Sequence, residues 1–152
     1  MSFTEEKRKA IRAYMLDKIR CDDSGFIKKT AENFGISETS VRRYIKECLE
    51  KEIIREDSKA RTGYQLVTVS SRWQMKNDGT LEEDALFWEK IMPFLTELPR
   101  NVQDIWYYAF TEIMNNAIDH SAGEQITFAI QKDALYTEIS IADDGIGIFR
   151  NI

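Results

Sequence analysis

Glu112, Asn116, Asp119 and His120 stand at spacings that put their side chains on one face of a helix, with Asn115 beside them. Carboxylate and amide oxygens are the donors that a hard cation such as Mg²⁺ takes, and a carboxylate can also serve as a base. The other residues of the stretch are Val102, Ile105, Trp106, Ala109, Phe110, Ile113, Met114, Ala117 and Ile118, so apolar that most of it must be buried. A polar stripe on such a helix needs a ligand or a cavity to justify it. A second group follows a run that reads as a strand, Asp143-Asp144-Gly145-Ile146-Gly147. Each group alone is weak, because Glu and Asn four apart are common on helices and Asp-Asp-Gly after a strand is usually a turn.

The elements that must position these groups are legible from periodicity. Asn101 is a candidate cap for a helix over 102–121, preceded by a helix over 83–95 that Pro99 bounds. Alternation over 126–130 and 135–142 predicts two strands joined at Lys132-Asp133. Asn116 and Asp143 are 27 positions apart with both strands between them.

The first half of the chain reads differently. Apolar residues at helical spacing predict a helix over 5–20, ended by Asp22-Asp23-Ser24-Gly25. A second runs over 27–34 and stops at Gly35, and Ser37 caps a third that continues to about Lys51. Val41, Tyr44, Ile45, Cys48 and Leu49 form the buried stripe of the third helix and leave Thr39, Arg42, Arg43 and Lys46 outward. A β-hairpin follows, with strands over 53–55 and 64–69 and a long polar tip. A small Ala31, a turn at Gly35 and a helix beginning at Ser37 make a helix-turn-helix whose exposed helix can enter a DNA major groove. Arg42 and Arg43 are candidates for guanine edges or phosphates. Lys28, Lys29 and Lys46 are candidates for phosphates, and Lys59 and Arg61 for wing contacts. The competing reading is a three-helix core whose cations solvate a surface or dock a protein.

Two resemblances follow from these residues. Residues 6–69 resemble the winged helix of DeoR-type transcriptional regulators. Residues 84–150 resemble the N box and first glycine box of the GHKL ATP-binding fold, a family of gyrase-type ATPases, sensor histidine kinases and anti-sigma-factor kinases. The resemblance implies that Asn116 holds Mg²⁺ between nucleotide phosphates and that Glu112 polarises the attacking water or hydroxyl. It implies that Asp143 accepts a hydrogen bond from the adenine amino group, with Gly145 and Gly147 letting backbone pass close to the base. Asp119 stands where many sensor kinases carry a basic residue. His120 is the only histidine and lies in the N-box helix rather than on a dimerisation helix, so histidine autokinase activity is not expected. The sequence ends five residues after Gly147, without the lid and second glycine segment of such domains. The expectation is therefore weak or absent ATP and Mg binding, negligible catalysis, and self-association or homodimerisation through an incomplete sheet.

Composition sets the bounds. The chain has 152 residues, 43% hydrophobic and 31% charged, as in an ordinary globular sequence. There is no spanning-length apolar run and no signal-peptide core, and Cys21 and Cys48 are isolated, so a cytoplasmic protein without a zinc site is expected. Residues 1–70 carry 15 Lys/Arg against 12 Asp/Glu, whereas 71–152 carry 6 against 14. Two domains are expected: a mainly α winged helix with a β-hairpin wing over 1–70, and an α+β partial GHKL (Bergerat) sandwich over 84–152. Residues 71–83 read as the linker between them. The function expected is DNA-binding transcription regulation with an ATP-sensing module. The rivals are an anti-sigma-like serine kinase whose winged helix docks a protein, and a remnant that has lost its nucleotide site.

Overall fold

The alternation of helical and strand periods along the chain yields an α+β protein, with two antiparallel sheets among the described residues. A computed structural model describes residues 3–120, 125–143 and 149–151. The chain divides into two compact units, Met1–Thr68 with Asp133–Tyr136, and Val69–Lys132 with Thr137–Ile152.

The first unit is built from helices α1 (Glu5–Arg20), α2 (Phe26–Phe34) and α3 (Glu38–Glu50) and a hairpin of β1 (Ile54–Glu56) and β2 (Tyr64–Leu66). Thr4 starts α1 by accepting the Lys7 amide at 3.1 Å, with Glu5 and Glu6 favourably placed at the positive end of the helix. Ile11, Met15, Leu16 and Ile19 then recur on one face and are buried. Gly35 closes α2 at φ 62°, a left-handed conformation that costs glycine little. Two residues on, the Ser37 hydroxyl accepts the Ser40 amide at 3.1 Å and opens α3. The three helices meet over Phe26, Val41, Ile45 and Cys48, and Ile54 and Leu66 of the hairpin close that core.

The hairpin tip is held by one carboxylate. Asp22, itself at φ 55°, accepts the amides of Arg61 and Thr62 at 3.1 Å each and the Thr62 hydroxyl at 3.2 Å. These bonds favour the charged form and hold the Asp22 carboxyl below the usual carboxylate value. The second hairpin strand is shorter than its sequence suggests, ending at Leu66, because Val69 already opens the next strand.

The second unit begins with β3 (Val69–Lys76), where a linker was expected over 71–83. Ser71, Trp73 and Met75 are half-buried while Arg72, Gln74 and Lys76 are exposed, the alternation of a strand covered on one face. Then come α4 (Glu83–Leu86), a π-helical turn over Phe87–Ile91 and a 3₁₀ turn over Met92–Phe94. The helix expected over 83–95 is thus present but irregular, and Pro93, which has no amide to donate, lies in its last turn. The long helix α5 spans Arg100–His120. Asn101 lies inside it and does not cap it, since the Val102 and Gln103 amides bond instead to the Pro99 carbonyl at 3.0 Å.

Strands β4 (Gln125–Lys132), β5 (Thr137–Asp143) and β6 (Phe149–Asn151) complete an antiparallel sheet in the order β3-β4-β5-β6. Asp133 makes the turn between β4 and β5, accepting the amides of Leu135 and Tyr136 at 2.8 Å. Register places Trp73 opposite Phe128 and Phe128 opposite Ile141, so one face of the sheet carries Ile126, Phe128, Ile130, Ile139 and Ile141. Phe87, Ile91, Leu95, Phe110 and Met114 from the helical layer seal it.

Asp22→Ala should leave the helices intact while the Arg61 and Thr62 amides exchange hydrogen at the rate of solvent-exposed amides. A carboxyl whose folded pKa is depressed contributes above its unfolded pKa of about 3.9 and loses that contribution as pH falls through the folded value. Hydrogen exchange by mass spectrometry should therefore show the tip of the unsubstituted protein protected at neutral pH. That protection should be lost in acid, below the ordinary carboxylate pKa.

Candidate functional site

Packing decides which side of α5 is free. Phe110 and Met114 are fully buried, and Phe110 meets Phe128 edge-on with ring centroids 5.8 Å apart. The opposite side of the helix carries Glu112, Asn115, Asn116 and Asp119, all exposed. The expectation that most of the helix is buried is corrected here, because Ile105 and Tyr108 are 65% and 68% exposed. A helix lying on one sheet can bury only one stripe, and α5 has more apolar residues than that stripe can hold.

Asp143 is placed by register. It pairs with Ile126 at the end of β5, and directly paired residues point to the same face. Ile126 is buried in the core, so Asp143 is on the helix-covered face of the sheet, where it is half-exposed. Lys76 pairs with Gln125 at that same end, and the Asn77 side-chain amide donates to the Ile118 carbonyl at 3.1 Å. The last turn of α5 and Asp143 therefore occupy one end of this unit. Glu112 lies seven residues before Asp119, roughly 10 Å up the helix. His120 is the final residue of α5, while Gly145 and Gly147 fall outside the described residues.

Asn77 is a contributor that sequence reasoning missed, since Asn77-Asp78-Gly79 read as a boundary turn. Lys132 is another. Its ammonium donates to the Phe94 carbonyl at 2.7 Å and pairs with Glu97, tying β4 to the turn that precedes α5, and burial lowers its pKa. No local signal pointed to that partnership, which joins residues far apart in sequence.

The donors present are hard oxygens. Among the described residues, no three His, Cys, Asp or Glu side chains converge as a ready-made metal cage. A Mg²⁺ carried in by phosphates needs no such cage, because it keeps several waters and takes one or two protein oxygens. Asn116 and Glu112, exposed on adjacent turns, are compatible with that kind of occupancy.

In the first unit, Thr39, Arg42, Arg43 and Lys46 are exposed on α3, as are Lys28 on α2 and Lys59 and Arg61 at the hairpin tip. Arg42, Arg43 and Lys46 have no hydrogen-bond or ion-pair partner among the described residues. Lys29 differs, since its ammonium is 2.6 Å from Asp23 and part of its charge is already answered. Ser37 is committed to the cap and to a 3.0 Å hydroxyl contact with Ser40.

Comparison with known proteins gives no match, whether to a family model, a curated protein or a solved structure.

The exposure of the polar row separates its stability role from any ligand role. Glu112→Gln and Asn116→Ala should each change unfolding free energy by less than about 0.5 kcal/mol. Phe110→Ala, which opens a cavity against the sheet, should cost about 3–5 kcal/mol. Urea unfolding followed by tryptophan fluorescence would check both. A large loss in Asn116→Ala would mean that the row is structural.

Proposed function

We propose that the protein is a DNA-binding transcription regulator whose second unit senses ATP. The observation that carries the reading is the free face of α3. Thr39, Arg42, Arg43 and Lys46 project from a helix that a glycine turn and a serine cap set off from α2, and its cations lack acidic partners. A helix with unpaired guanidinium groups in its first turns suits the major groove, where arginine pairs bidentately with guanine. The hairpin tip, fixed by Asp22, would present Lys59 and Arg61 to the backbone as a wing.

The nucleotide half of the reading rests on Asp143 and α5. A carboxylate on the inward face of a sheet end, beside the last turn of a helix with an exposed Glu-Asn row, suits an adenine amino group and a phosphate-bound cation. Asn116 would hold Mg²⁺, and Glu112 would orient a water or hydroxyl by accepting its proton. When bound, the cation would screen the charge of the phosphates. Regulation requires that ATP bind the DNA-competent and DNA-incompetent states unequally. No helix among the described residues is long and apolar enough to cross a membrane.

The test is duplex DNA binding across a salt series. Binding should weaken steeply as salt rises, and Lys46→Ala should weaken it uniformly across sequences and flatten the salt slope by about 1. Arg42→Ala should reduce discrimination between sequences by about 1–3 kcal/mol. At nucleotide concentrations high enough to load a weak site, Mg-ATP should change the affinity of the unsubstituted chain and leave Asp143→Asn unaffected. Absence of DNA binding at low salt would sink the first half. Phosphate transfer from ATP to a protein, lost in Glu112→Gln, would replace the second half with a serine-kinase reading.

A further inference from the structure

A groove of about 780 Å³ runs between the start of α1 and the side of α3. Its volume lies within the roughly 300–1,000 Å³ of small-molecule sites. Four cationic side chains line it, Arg8, Arg12, Arg43 and Lys51, against two carboxylates, Glu5 and Glu47. Glu47 is already spent. Lys51 donates to it at 2.8 Å and Arg12 at 3.1 Å, and these bonds, with Arg8 nearby, hold its carboxyl below the ordinary value.

Arg8 and Arg43 are therefore left exposed with no hydrogen-bond or ion-pair partner among the described residues, Arg8 feeling Glu47 only at longer range. Arg12 is only half satisfied. Its Nη2 takes Glu47, while its Nε is buried with no hydrogen-bond partner. An unmet donor on a charged group is costly, and such exceptions call for an explanation. Phosphate is the anion that suits this arrangement, because guanidinium forks match its oxygens bidentately. Phe3, Ile36 and Tyr44 give the groove an apolar wall that a bare ion would not need.

We infer that the α1–α3 groove is a binding site for a small phosphorylated molecule of nucleotide or sugar-phosphate size, its phosphate held by Arg8, Arg12 and Arg43. Ligand binding does not depend on the DNA reading. One consequence does: Arg43 borders both the groove and the outward face of α3, so a phosphate bound to it competes with DNA for the same guanidinium.

Inorganic pyrophosphate is the probe for the full chain, titrated by calorimetry. Saturable binding is expected. Arg8→Gln and Arg43→Gln should each weaken it at least about tenfold, the loss expected for one charge-assisted pair of roughly 1.5–3 kcal/mol. Arg72→Gln, on the exposed face of β3, should bind as the parent does, and circular dichroism should show every variant folded. Added pyrophosphate should also weaken duplex binding by the parent chain, and for the Arg8→Gln chain should do so only at concentrations at least about tenfold higher. No saturable pyrophosphate binding, or binding that survives both Arg8→Gln and Arg43→Gln, would overturn the proposal. So would a loss of DNA affinity in Arg8→Gln as large as in Arg42→Ala without pyrophosphate binding, which would give the groove to the DNA backbone. Pyrophosphate binding in a chain that fails to bind DNA would uphold the site and remove only the competition.

Discussion

Helix α5 can present only one stripe to the sheet, and that limit fixes most of what the second unit can do. Phe110 and Met114 take the buried positions, meeting Phe128 from below and Phe87 from the preceding helical turns. Each such side chain contributes about 1.5–3 kcal/mol on removal from water. Rotating the helix to bury Ile105 or Tyr108 instead would expose them, so the rotation is settled by the core. Once it is settled, the 3.6-residue period dictates that Glu112, Asn116 and Asp119 face outward. The sheet obeys a matching constraint, since the pairing of Ile126 with Asp143 puts that carboxylate on the helix-covered face. Neither polar group chose its direction independently of the apolar ones.

In the first unit, polar contacts fix the corners around an apolar core. Gly35 and Ser37 separate α2 from α3 within a few residues, and Asp22 gathers the hairpin tip through three donors. A long, polar seven-residue tip would otherwise have little reason to hold one conformation, because ordering it costs entropy without burying apolar surface. The positive φ of Asp22 fits this role, since it points a short carboxylate toward a segment some forty residues away. Electrostatics follow the same division. The cations lie mostly in the unit with the free α3 face, and the acidic excess lies in the unit with α5.

Elements with a strong local period were legible in the sequence. The bounds of α1, the glycine exit from α2 and the Ser37 cap all rest on contacts within a few residues. The failures share the opposite property. Residues 71–76 alternate clearly, yet their partner strand β4 lies about fifty residues downstream, and polar Ser, Arg, Gln and Lys made the segment look like a linker. Asn101 is a good capping residue in isolation, but the Pro99 carbonyl had already taken the amides it would have served. The apolar wealth of α5 read as full burial because sequence counts residues, whereas packing counts the faces available to cover them. The candidate site was legible as residue types in order. Its depth was not, since exposure of Glu112 and Asn116 depends on what lies opposite them.

The outward side of α5 is not uniform, and the difference bears on what it is for. Its first turns expose Ile105 and Tyr108 beside Asn101 and Asp104, with Trp88 and Tyr107 in tilted contact at 5.7 Å, while Glu112, Asn115, Asn116 and Asp119 are the exposed polar residues further along. A helix selected simply for solubility would show polar residues throughout that side. Asp143 lies on the helix-covered face at the very end of β5, where it is half-exposed.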